Sequence, residues 1–132
     1  MIEIFIPIVL GHFVADYLFQ NREMAIRKSE KGLIGFLWCF VPCVIYTATI
    51  CAFLQTLDPM MMFLVFMSHF PIDRWSLAGK WLRFIGGRDI LAAYNSVKKY
   101  REIDLSFSCL VYAIADNTMH LVLLYWMTLY LF

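Results

Sequence analysis

Each of the three histidines in this chain has an aspartate four residues away. His12 precedes Asp16, His69 precedes Asp73, and His120 follows Asp116. Residues four apart share one face of a helix. With six aspartates in 132 residues, a given histidine has roughly a one-in-ten chance of such a neighbour, and all three acquire one by chance about once in a thousand sequences. Neutral imidazoles and carboxylates together suit Zn²⁺, Mn²⁺ or Fe²⁺. His12, Asp16, His69, Asp73, Asp116 and His120 are therefore candidate ligands for one or two divalent transition-metal ions, with the three aspartates also candidate catalytic bases. Two ions would have to sit about 3.5–4 Å apart. The same residues also suit a proton or ion pathway, or three hydrogen-bonded pairs that only fasten helices together.

What positions these pairs follows from composition. Hydrophobic residues make up 62% of the chain and charged residues 16%, against roughly half and a quarter in a soluble domain. The expected fold is all-α: a polytopic membrane bundle of four transmembrane helices plus one amphipathic interfacial helix, in a single domain over 1–132. A hydrocarbon core of about 30 Å takes about 20 helical residues. The spans fall at 2–20, 33–54, 60–81 and 105–132, with the interfacial helix at 88–102. Asp58-Pro59 suits the start of the third span, and Gly86-Gly87 breaks the chain after it. The N-terminal run lacks a basic region and a small-residue cleavage site, and reads as a retained helix.

Charge placement sets a topology. All 11 Lys and Arg fall in two stretches, 22–31 and 74–101. The positive-inside rule puts connections one and three in the cytoplasm and both termini outside, as in a multi-pass protein of an inner membrane. Trp38, Trp75 and Trp81 lie near the predicted cytoplasmic ends, where aromatic belts occur. Reversing the span direction and the His/Asp order together gives one polarity: every histidine on the outer side of its pair, every aspartate on the cytoplasmic side. Each pair spans roughly 6 Å, and His12, His69 and Asp116 lie roughly 15 Å deep. A histidine layer above an aspartate layer is expected, supplied by spans one, three and four, with span two contributing none.

Other groups read more quietly. Gln20 continues the His12–Asp16 face and either orients a ligand or caps the helix end. Asn117 suits a bond across helices. Arg74, Lys80 and Lys98 suit either an anionic head group or ordinary anchoring at the cytoplasmic surface. Cys39, Cys43, Cys51 and Cys109 read as buried small hydrophobes, not a disulfide framework.

Three of these stretches carry a family resemblance. His12-Phe13-Val14-Ala15-Asp16-Tyr17-Leu18-Phe19-Gln20 resembles the HxxADxxxQ signature of the DUF3307 family of small bacterial and phage membrane proteins. Ser68-His69-Phe70-Pro71-Ile72-Asp73 is similar to its HxxxD segment, and Asp116-Asn117-Thr118-Met119-His120-Leu121 to its closing segment. The resemblance implies a helical membrane fold and no particular activity. The HxxxD pattern is also similar, by analogy alone, to motifs of membrane-bound metal-dependent hydrolases. Many members of the family carry a further His on the second helix, just before a V-I-Y-T-like stretch, whereas here Pro42 and Cys43 precede Val44-Ile45-Tyr46-Thr47.

Three functional classes stay open: a membrane metal-dependent hydrolase of a lipid-linked or small-molecule substrate, a transporter of protons, metal ions or a small solute, and a non-catalytic membrane regulator. The bilayer is the expected partner, and four spans are few for a pathway, so transport would call for a homo-oligomer. A Walker loop, G-x-S-x-G, HExxH and GxGxxG are all missing. Basic and aromatic residues are not interleaved into a nucleic-acid patch, and no nucleic-acid partner is expected.

Overall fold

The computed structural model describes residues 2–131, and every regular element among them is helical. Helix α1 (Ile2–Phe13) runs directly into a π-helical stretch, Val14–Phe19. A short α2 (Arg22–Arg27) follows, then α3 (Gly32–Phe53), α4 (Pro59–Arg74), α5 (Leu77–Gly86), α6 (Ile90–Tyr94) and α7 (Arg101–Leu131). The long helices close a ring in which α1 packs on α3, α3 on α4, α4 on α7 and α7 back on α1. Consecutive long helices are thus neighbours, an up-and-down bundle. One end carries the start of α1, the end of α7 and the α3–α4 turn; Phe5 of α1 meets Tyr125 of α7 there, with ring centroids 6.1 Å apart. The other end carries every Lys and Arg.

Local chemistry explains the helix ends. Asn21 Oδ1 accepts from Met24 N at 2.9 Å and starts α2. Asp58 Oδ2 accepts from Met61 N at 2.9 Å, with Pro59 as the first residue of α4, which satisfies an amide left open at a helix start. Within α3 and α7, the hydroxyls of Thr47, Thr49 and Thr128 donate to carbonyls four residues back, so these polar groups need no water.

Two boundaries differ from those expected. The third span does not run unbroken over 60–81. It stops at Arg74, Ser76 takes a left-handed conformation with φ 46°, and α5 sets off afresh. That conformation costs a non-glycine residue about 1–2 kcal/mol, and it turns α5 to pack on α7. The interfacial helix expected at 88–102 shrinks to the five residues of α6. Asp89 caps its start, but Ser96 Oγ accepts from Lys98 N at 3.3 Å, a local bond that competes with continuing a helix. Arg101 and Glu102 belong instead to α7.

Two helices, Gly32–Phe53 and Arg101–Leu131, are long and apolar enough to cross a membrane. The 16 residues of α4 reach about 24 Å. The exterior is apolar: Ile6, Leu10, Phe63, Leu110, Ile114 and Trp126 are all exposed. Of the most apolar stretch of α7 only 17% is buried. The interior, by contrast, holds His12, His69, Asp73 and His120.

Candidate metal centre

The interior is layered, and the layers follow from helical spacing. Ile8, Ile50, Val65 and Leu124, one from each long helix, are fully or almost fully buried in one apolar cluster. Each lies four residues from a buried ring: His12, Tyr46, His69 and His120, in that order. Residues four apart stack along one face, so a buried apolar layer sits directly above a layer of three imidazoles and a phenol. The aspartates come one turn further, toward the basic end.

The rings pack closely. His69 lies between Tyr46, at 3.7 Å between centroids, and His120, at 4.1 Å, both stacked. His12 is 5.7 Å from His120. Asp73 anchors the next layer: its Oδ2 is 3.2 Å from His69 Nε2 and its Oδ1 is 3.5 Å from His120 Nε2. Neither approach has the alignment of a hydrogen bond, so both Nε2 atoms face Asp73 at ion-pair distance without a hydrogen-bond partner, and His69 Nδ1 is buried without one as well. One ligand atom each from His69, Asp73 and His120 lies within 4.8 Å of the others, a group able to hold a metal ion.

His12 stands apart from that group. Asn117 Nδ2 donates to the Ala113 carbonyl at 2.6 Å and to Tyr17 Oη at 2.7 Å, which turns Asn117 Oδ1 toward His12. The 2.7 Å contact from His12 Nε2 to that oxygen puts the ring proton on Nε2. Nδ1 then accepts from the Tyr46 hydroxyl at 2.8 Å. With no proton on Nδ1, the 3.5 Å approach of Asp16 Oδ2 is not a hydrogen bond. His12 holds Tyr46 and Asn117 in place, and both of its nitrogens are engaged.

The remaining candidates flank the centre. Asp116 Oδ2 is 3.8 Å from His120 Nε2, and its Oδ1 is buried and unpartnered. Asp16 sits in the π-helical stretch, a geometry frequent at functional sites. The helix ends at Phe19, so Gln20 is extended rather than a continuation of the Asp16 face, and its Nε2 is buried without a partner.

Two residues at the site were not expected there. Span two was expected to contribute none, yet its Tyr46 supplies the hydroxyl held by His12 and the ring against His69. No spacing or motif in the sequence singles out Tyr46; tertiary packing brings it there. Lys28, read as one more basic group of connection one, reaches inward and places Nζ 2.8 Å from Asp73 Oδ1. Burial works against its charge, but Asp73 and Asp116 outweigh that and hold its pKa above the usual lysine value. Arg74, expected to meet a head group or anchor at the surface, instead donates through Nη1 to the carbonyls of Lys28 and Glu30. Gly35 completes the fastening, because a Cβ there would overlap the Glu30 carbonyl. Cys39, Cys43 and Cys51 are buried and unbridged, with the Cys39 and Cys43 sulfurs 4.0 Å apart, whereas Cys109, expected to be buried, is exposed on α7.

Fold and site together define a class: an antiparallel helical bundle, apolar outside, with a His/Asp centre inside. The chain belongs to DUF3307, described as a protein of unknown function, whose family model matches residues 4–132. Comparison with curated proteins and with solved structures gives no match.

Proposed function

We infer that the protein is an integral membrane protein whose α1 with its π-helical extension, α3, α4 and α7 cross the bilayer, and that His69, Asp73 and His120 hold a divalent transition metal for hydrolysis of a lipid-linked ester or phosphoester. The membrane part rests on an apolar exterior around a polar interior, the reverse of a soluble domain, where large contiguous apolar patches are rare. The gathering of every Lys and Arg at one bundle end supports placing that end in the cytoplasm.

The observation that carries the metal reading is the pair of buried imidazole nitrogens that face Asp73 without hydrogen-bonding to it. Buried polar atoms without partners are costly, and in a membrane no water is at hand to relieve them. Two imidazoles and one carboxylate are a donor set found in catalytic zinc and non-haem iron sites, with positions left over. Charge agrees: three carboxyl groups, Asp16, Asp73 and Asp116, gather around the site, Lys28 is paired with Asp73, and a divalent cation there would favour their ionised forms. Such an ion polarises a scissile group and acidifies a water.

The chain's own residues do the rest. Asp116 Oδ1 accepts a proton from the attacking water, whose oxygen adds to the acyl or phosphoryl centre. The leaving alkoxide departs with that proton. Lys28 holds Asp73 from the cytoplasmic side, and the layer of Ile8, Ile50, Val65 and Leu124 closes the site from the other. That apolar layer also disfavours a conducting path through one chain.

Hydrolysis of lipid-linked phosphoesters by the protein in nanodiscs tests the reading. Turnover should need the metal and be lost in Asp116→Asn with metal content kept, whereas Asp73→Asn should lose both. Equal turnover in stripped and loaded protein would reject a metal-dependent reaction.

A further inference from the structure

A cavity of about 810 Å³ opens beside the centre at the basic end, between the α2 region, α5, α6 and α7. Its walls are largely apolar, with Ile26, Leu82, Ile90, Leu91 and Leu105 among them, and two guanidinium groups, Arg83 and Arg88, stand on it. Both are exposed, and each is steered by a neighbour. Arg83 Nε is 2.9 Å from Asp89 Oδ2, and Arg88 lies over the Phe107 ring at 5.0 Å. Asp89 is spent on Arg83 and on capping α6, so the two arginines leave the pocket with a positive surplus.

The cavity's position fits a lipid rather than a soluble solute. The segment around it exposes Phe84, Ile85, Leu91, Tyr94 and Val97, apolar groups interspersed with Arg83 and Arg88. That mixture belongs at a membrane surface, where acyl chains and head groups meet. The inner wall reaches toward the centre. Tyr112 lines the cavity, lies four residues before Asp116 on the same helix face, and is within electrostatic range of Asp116, Asp73 and Lys28. Ser76, also on the wall, follows Asp73 by three residues.

We propose that this cavity binds the phosphate head group of a membrane lipid, held by Arg83 and Arg88 with its acyl chains along the apolar wall. The catalytic consequence rests on the hydrolase reading above: the cavity would present a lipid phosphoester to His69, Asp73 and His120. Binding itself does not depend on the metal. Arginine matches phosphate because its planar fork donates two parallel hydrogen bonds.

Gly79 supplies a clean probe. It lines the cavity, and a Cβ there would meet the Tyr112 ring at an ordinary 3.5 Å. Gly79→Leu should therefore project into the cavity and occupy part of it. Purified protein is titrated, by native mass spectrometry, with phosphatidic acid and with phosphatidylcholine of the same chains. Phosphatidic acid should bind about tenfold more tightly. That preference should vanish in Arg83→Gln/Arg88→Gln, the tight adduct should vanish in Gly79→Leu, and both should survive in His69→Gln. Equal binding of the two lipids, or a preference that persists in the arginine and Gly79 variants, overturns the proposal. So does displacement of phosphatidic acid by an equal concentration of inorganic phosphate, which marks a soluble-anion site. Phosphatidic acid binding by a protein that carries no metal as purified and shows no turnover keeps the cavity and removes the hydrolase; a metal-loaded, active protein indifferent to phosphatidic acid does the reverse.

Discussion

Lys28 Nζ lies 2.8 Å from Asp73 Oδ1, joining the first connection to the end of α4 across the floor of the site. Removing one partner of a buried ion pair leaves an uncompensated charge, at a cost of about 3 kcal/mol. Lys28→Met should therefore destabilise the metal-stripped protein by about that much in detergent unfolding. Adding Asp73→Asn should recover part of the loss. A single variant as stable as wild type would mean that the pair does not hold the connection in place.

The same connection depends on Gly35, where the Glu30 carbonyl leaves no room for a Cβ. Gly35→Ala must push backbone apart and should cost about 2 kcal/mol. Gly79→Ala is the control: its Cβ meets only the edge of Tyr112, and it should be neutral or stabilising by up to about 1 kcal/mol. Thermal unfolding of the two variants side by side checks the contrast, and equal stabilities would contradict it.

Tyr46 offers a separable pair of contacts, its hydroxyl to His12 and its ring to His69. Tyr46→Phe removes only the first, leaving His12 Nδ1 buried without a donor. The expected loss is about 1 kcal/mol, since polar contacts inside membranes are worth little more. Metal content should not change. A fall in bound metal without a fall in stability would show that the hydroxyl, not the ring, serves the centre.

These residues also show how much could be read in advance. The His/Asp pairs were legible because a spacing of four has one meaning on a helix, and the apolar runs marked the helices that carry them. Lys28 and Tyr46 were not legible as site residues. Each arrives by tertiary packing, Lys28 on a connection folded back against α4 by Arg74, Tyr46 on a helix whose other residues read as uniformly apolar. His12 looked equivalent to His69 and His120 until Asn117 and Tyr46 were seen to take both of its nitrogens. The stop at Ser76 carried no glycine or proline of its own to announce it, and the π-helical stretch at Asp16 has no sequence signature.

Sidedness gives a further prediction. Glu23, Leu57 and Val97 are exposed on three different connections. Cysteines placed there singly, in a background without the native ones, should label with a membrane-impermeant maleimide from opposite sides. Positions 23 and 97 should react only from the cytoplasmic face and position 57 only from the other. Labelling of all three from one face would remove the membrane-spanning bundle.

The central claim is that His69, Asp73 and His120 hold a metal, and elemental analysis tests it most directly. Protein purified without chelator should carry roughly one equivalent of zinc, manganese or iron per chain, and Asp73→Asn and His120→Ala should each lose most of it while remaining folded. Wild-type protein free of transition metal, or variants that retain the full complement, would contradict the account.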